Sequence, residues 1–146
     1  MAVQISQDNS NIQLIKSGNS FVMSQTIRQD AGRVVPLQKW TVMAQIAASG
    51  NWVPWTNVAA VDGSQIPQGI YMGADILAAD LVDGNIEGCP ILVGGNCTVD
   101  ENRIVLDQGI LDIDDTVPAL TLRGRALLRT VGIFIEDTVD ISEFEN

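Results

Sequence analysis

Apolar and polar positions alternate along most of this chain in short runs, with little of the spacing of an amphipathic helix. Val3-Gln-Ile5 and Ile12-Gln-Leu14 repeat with period two, as half-buried strands do. Phe21-Val-Met23 is a third apolar island in a segment otherwise rich in Gln, Asn and Ser. Residues 1–36 therefore read as an extended arm with one or two short strands, or as a polar linker, and the apolar islands favour an arm that orders on a partner. From Leu37 the alternation becomes recurrent. Trp40–Ala47 carries Val42 and Ile46, Ser49-Gly50-Asn51 is a turn signal, and Trp52-Val-Pro-Trp55 returns. Pro54 cannot donate to a ladder, so it marks an edge strand or a strand end. Ala59–Gly63 closes on a second turn, and Ile66–Met72 is a third apolar strand broken by Gly69. Asp75–Val82 fits a short helix or an irregular crossing. Cys89–Val93 and Cys97–Val99 flank Gly94-Gly95-Asn96, a hairpin signal, and Arg103-Ile-Val-Leu106 is one more short strand.

The period changes near the end. Val117, Leu120, Leu127 and Val131 fall near one helical face, with Pro118 in the first turn, acids at Asp112, Asp114 and Asp115 before it, and Gly132 as a cap. A hairpin turning at Arg123-Gly124-Arg125 is the competing reading, because Gly124 weakens a helix by about 1 kcal/mol relative to Ala. Ile133-Phe-Ile135 closes as a strand. The expected organisation is an arm over residues 1–36, a β-rich domain over 37–136 and an acidic tail over 137–146. The fold class is mainly β with a small α component, one helix lying near the C-terminal end.

Composition narrows the function. With 146 residues and 46% hydrophobic, the chain fits one domain with its own core. No apolar run approaches the ~20 residues of a membrane helix. Met1-Ala-Val-Gln-Ile-Ser-Gln-Asp8 lacks the basic start and apolar core of a signal peptide, so a soluble protein made in a cytoplasm is expected, and no membrane partner. In that compartment Cys89 and Cys97 are expected as buried free thiols, with a disulfide between them as the alternative that strand–turn–strand geometry leaves open. The net charge of −10 is uneven: residues 1–61 hold two acids and four bases, residues 62–146 sixteen acids and four bases. A nucleic acid would meet net repulsion, so no nucleic-acid partner is expected.

Chemistry finds few footholds. There is no histidine, which removes Ser-His-Asp triads and most zinc sites. Lys16-Ser17 lacks the glycines of a phosphate loop, and neither a nucleophile elbow nor a dinucleotide fingerprint is present. Asp112-Ile-Asp114-Asp115 offers hard oxygen ligands for a divalent cation but lacks the glycine and distal glutamate of an EF-hand loop. Acids at a helix start account for it. Arg123, Arg125 and Arg129 fit a helix's solvent face paired with nearby acids, or a grip on a carboxylate-rich partner. Catalytic residues, metal ligands and cofactors are accordingly all expected to be none. Trp40, Trp52 and Trp55 suit core packing, with a subunit interface as the other use of Trp.

Taken in order, Val42-Met-Ala-Gln-Ile46, Ser49-Gly-Asn-Trp-Val-Pro54, Asp62-Gly-Ser64, Gly69-Ile70, Ile91-Leu-Val-Gly-Gly95 and Leu127–Ile135 resemble the head decoration (capsid cement) proteins of tailed bacteriophages, the lambda-type decoration proteins. The likeness covers roughly Gly32 to Glu136. It implies a compact β-tulip-like body with a small helical component and no enzyme activity. It also implies a homotrimer on three-fold positions of the capsid exterior, formed after synthesis in the host cytoplasm. The implied partner is the major capsid protein, reached by the N-terminal segment through added β-structure. The expected contacts are Val3, Ile5, Ile12, Leu14 and Ile15 in the arm, with Trp40, Trp52 and Trp55 at a subunit interface. The chain departs from the family in its long arm and its acidic tail. A tail-tube or head–tail joining protein is the alternative. A small β-barrel hydrolase working through Asp112, Asp114 and Asp115 is a more distant one.

Overall fold

Alternation of side chains decides the architecture. Along the central strands one residue in two faces each side of the sheet, and here both sides are apolar, so a sheet forms that must be packed on both faces. The computed structural model describes residues 14–56, 61–107, 112–117, 120 and 122–137. Its elements are β1 (Ile15–Gly18), β2 (Phe21–Ile27), β3 (Val42–Gln45), β4 (Trp52–Pro54), β5 (Pro67–Tyr71), α1 (Ala78–Asp83), β6 (Ile86–Gly94), β7 (Cys97–Asp100), α2 (Gly124–Thr130) and β8 (Ile133–Glu136). Five strands close a barrel in the order β2-β4-β3-β5-β6, and a second sheet has the order β1-β7-β8. The result is the mainly β body with two short helices among the described residues, one of them near the C-terminal end, and it fits a β-tulip-like description.

The two faces of the barrel wall feed two clusters. Ile27, Met43, Trp52, Tyr71 and Ile91, one from each barrel strand, pack together with Leu37, Leu81 and Cys89. Their sequence neighbours Val42, Ala44, Val53, Ile70 and Leu92 point the other way and pack with Leu14, Trp55, Val99, Leu127, Leu128 and Ile133. That second cluster lies between the wall, the three-stranded sheet and α2. No residue of β2 belongs to it, so the outward side of β2 is left uncovered. β8 lies parallel to β7, with Cys97 opposite Ile133, so the chain needs a crossover between them, and α2 lies on it.

A two-stranded ribbon joins the two sheets. β1 and β2 form one path and β6 and β7 the other, running antiparallel, with Gly18 opposite Cys97 and Phe21 opposite Gly94. Asn19 N–H still donates to the Asn96 carbonyl at 3.2 Å, so pairing continues through a bend. The bend requires glycine. Gly18 has φ 86°, and a Cβ there would overlap the Asn96 carbonyl oxygen. Gly95 has φ 114°, and its Cβ would stand 2.9 Å from the Phe21 nitrogen.

Four expectations change. Gly94-Gly95-Asn96 does not turn a hairpin: β6 and β7 belong to different sheets, and the glycines bend a strand path instead of reversing it. The segment expected as an arm over residues 1–36 belongs to the body from Leu14 onward. Leu14 is fully buried, β1 and β2 are sheet strands, and Arg33 is buried against Asp107. The helix expected from Val117 begins only at Gly124. Val117 N–H donates to the Leu122 carbonyl at 2.8 Å and Thr116 bridges Arg123, so the chain reverses first. Gly124 is at the helix start because Trp55 lies against it, where a Cβ would stand 2.6 Å from the ring. Gly132 follows the helix at φ 89°, the left-handed cap position. Arg103–Leu106 reduces to one bridge, Thr41 to Val105.

Candidate docking surface

β2 has a sequence suited to a buried strand and a setting that does not bury it. Every residue from Lys16 to Ser24 is exposed, Phe21 by 56% and Val22 and Met23 by 42% each. The cause is pairing. On one side β2 is hydrogen-bonded to β6 from Phe21 to Ile27. On the other it meets β4 only where Ile27 faces Trp52, followed by Arg28 N–H to the Trp52 carbonyl at 2.9 Å. The edge from Phe21 to Gln25 therefore has no strand beside it among the described residues. Such an edge is a template for an added strand, and natural edges of this kind are usually blunted by charge or proline. This one carries neither over these five positions.

The edge lies in the acid-poor first part of the chain, where residues 31–61 are likewise free of acids. From residue 14 to 29 the chain holds Lys16 and Arg28 and no acid, within a protein of net charge −10. Lys16 Nζ reaches Asp100 at 3.9 Å, a loose pair between a half-exposed lysine and a buried carboxylate. Arg28 lines an open cleft of about 280 Å³ with Asp30, Val53, Thr56, Ser64 and Asp107. Near it, the Asp62 carboxyl is held below its ordinary value by the Ser64 hydroxyl, which donates at 2.6 Å, and by the Ser64 backbone N–H at 3.0 Å.

The other candidate groups are structural. Arg33 grips both oxygens of Asp107 at 2.8 Å and donates to the Val35 and Pro36 carbonyls, tying the segment after β2 to a distant loop. Arg125 takes Asp114 at 2.9 and 3.0 Å and Glu101 at 2.6 Å, and donates to the Ile135 carbonyl. The guanidinium beside Asp114 lowers that carboxyl's pKa, and the same bonds raise the pKa of Arg125. Asp112, Asp114 and Asp115 therefore form a hydrogen-bonded turn docked on α2 and not the start of that helix. Asp114 N–H donates to Asp112 Oδ1 at 2.9 Å. Among the described residues no group of three or more Cys, Asp or Glu is arranged to hold a metal, and no helix is long and apolar enough to cross a membrane.

The expected contact residues divide. Val3, Ile5 and Ile12 lie outside the described residues. Leu14, just before the first strand of the ribbon, is a core residue, and Ile15 is half-buried opposite Val99. Trp52 and Trp55 are 3% and 1% exposed, consumed by the two clusters, so neither offers a face to a neighbouring subunit. Trp55 Nε1 donates to the Gln65 carbonyl at 2.8 Å, whereas the Trp52 and Trp40 indole N–H groups are buried without an acceptor. Trp40 is half-buried with φ 72°, and the Lys39 ammonium lies 5.8 Å from its ring. Cys89 and Cys97 are free and buried in different clusters, and burial raises both thiol pKa values. The sequence did signal the exposed edge, as the run Phe21-Val-Met23 without polar alternation. What it did not carry was which side of that strand lacks a partner. No protein-family model matches the chain, and no curated protein sequence matches it.

Proposed function

We propose that the chain is a structural virion protein, a decoration protein that binds the outside of a phage capsid and cements neighbouring major capsid protein subunits. The observation that carries the reading is the open, apolar, acid-free edge of β2. Strand addition supplies affinity through main-chain hydrogen bonds and takes register from alternate side chains, so a protein whose main surface feature is a joint works by assembly. The ordered likeness of its sequence segments to the decoration family supports the same reading. In this proposal the protein acts as a homotrimer at three-fold positions, with residues before Leu14 reaching the shell. An extended chain of thirteen residues spans ~43 Å at ~3.3 Å per residue, enough to cross onto a neighbouring subunit. A trimer touching several shell subunits gains avidity from weak single contacts.

The test is binding to purified expanded heads. Deletion of residues 2–13, which spares Leu14 and β1, is expected to leave thermal unfolding unchanged and to abolish co-sedimentation with heads. Unchanged head binding overturns the role of that segment. Label found at one vertex or along the tail, and not over the whole head, overturns the decoration reading itself.

A further inference from the structure

We propose that the open edge of β2 receives residues 138–146 of a neighbouring copy of this chain as an added strand. The segment reads Thr138-Val-Asp-Ile-Ser-Glu-Phe-Glu-Asn146. Val139 and Ile141 stand at period two with Asp140 between them, the pattern a half-covered strand needs for register. The open edge offers five positions, Phe21 to Gln25, and the alternating stretch Val139 to Ser142 fills four of them.

Charge chooses this occupant. Asp140, Glu143 and Glu145 give the segment three negative charges, and residues 14–29 are bounded by Lys16 and Arg28 with no acid between. Residues 62–137 carry most of the acids and would repel it. Residues 1–13, the other candidate from the chain itself, hold a single charge at Asp8 and have no such complement.

Topology chooses a neighbouring copy. Glu136 pairs with Asp100, whose N–H donates to the Leu14 carbonyl at 2.8 Å, so β8 ends at the Leu14 end of the ribbon. β8 runs parallel to β7 and therefore opposite to β1. The chain leaves β8 heading away from its own Phe21–Gln25, which lies beyond the bend at Gly18. An edge on one copy and a segment on the next make a heterologous contact, which forms a ring where the rotation between copies closes and a filament where it does not.

The experiment uses the full chain without a capsid. A spin label on Ser142→Cys is selective because Cys89 and Cys97 are buried. Labelled chain is mixed with isotope-labelled wild-type chain, and amide signal loss is read in the isotope-labelled copy. Loss confined to the region of residues 21–25 is expected. It should disappear when the isotope-labelled copy carries Phe21→Glu and Met23→Glu, which set acids against the acidic segment and change exposed positions only. Val139→Asp with Ile141→Asp should shift sedimentation of the full chain to a smaller species. No loss at residues 21–25, or loss only when both labels are on one chain, overturns the proposal. Because no capsid is present, this result stands apart from head binding: a chain that exchanges its tail but fails to decorate heads overturns the capsid reading alone.

Discussion

Tyr71 is the only tyrosine in the chain, so its titration is readable without interference. Its ring sits in the barrel cluster and its hydroxyl donates to the Ala74 carbonyl. Burial, reinforced by Cys89 and Asp75, pushes the phenol up to about 12 from its usual 10.0. The folded state thus holds the proton more tightly than the unfolded one. Its stabilising contribution is complete below the unfolded value and is lost as pH rises through the folded value. Phenolate absorbance should rise near that folded value, and Tyr71→Phe should flatten the alkaline fall in stability. Asp114 works in the opposite sense. Its folded pKa is lowered, first by the hydrogen bonds from Arg125, so its contribution is present above the ordinary carboxyl value of 3.8 and is lost as pH falls through the depressed folded value. Asp114→Asn should shrink the acid-side loss measured by urea unfolding across that range. Arg125→Gln leaves Asp114, Glu101 and the Ile135 carbonyl without their donor and should cost about 2 kcal/mol by the same measurement.

At the scale of elements, much was legible where periodicity and burial agree. β3, β4 and β5 fall within the runs expected, and Pro54 ends its strand. Arg123, Gly124 and Arg125 were ambiguous because the decisive neighbour, the Trp55 ring, lies far away in sequence. The Gly94-Gly95-Asn96 signal misled for a related reason. Two glycines free to take positive φ permit a reversal or a bend, and the choice depends on Asn19 and Phe21 of the opposing strand. Gly18→Ala tests the bend. With φ 86° and the Asn96 carbonyl in the way, the change should cost about 2 kcal/mol or more, against a few tenths at an unconstrained exposed position, by chemical denaturation. Leu128→Ala, in the layer between barrel and sheet, should cost about 2–5 kcal/mol.

For the whole molecule, the body's mainly β character and its C-terminal helix could be foreseen. The division into barrel and second sheet could not, because it depends on which strands pair across distances of some twenty to more than eighty residues. The candidate surface was half visible. The apolar run at Phe21 stood out in the sequence, but it looked like part of an arm because nothing local marks the strand as one wall of a barrel. Cys89 and Cys97, buried in separate clusters with raised thiol pKa values, should react with a thiol reagent only as fast as the native state opens. Their modification rate should therefore rise in parallel with denaturant-induced opening.

The bent ribbon also has a mechanical side. Tension applied at Leu14 along the direction of β1 enters a strand whose partner, β7, runs antiparallel beside it and is itself flanked by β8. The rungs between them then bear the load together in shear, and the chain cannot be peeled apart one bond at a time. The bend at Gly18 passes the remainder into the barrel wall through β2 and β6. A segment anchored before Leu14 would thus be tied to the body by a joint that resists pulling, with the compact core as its backstop.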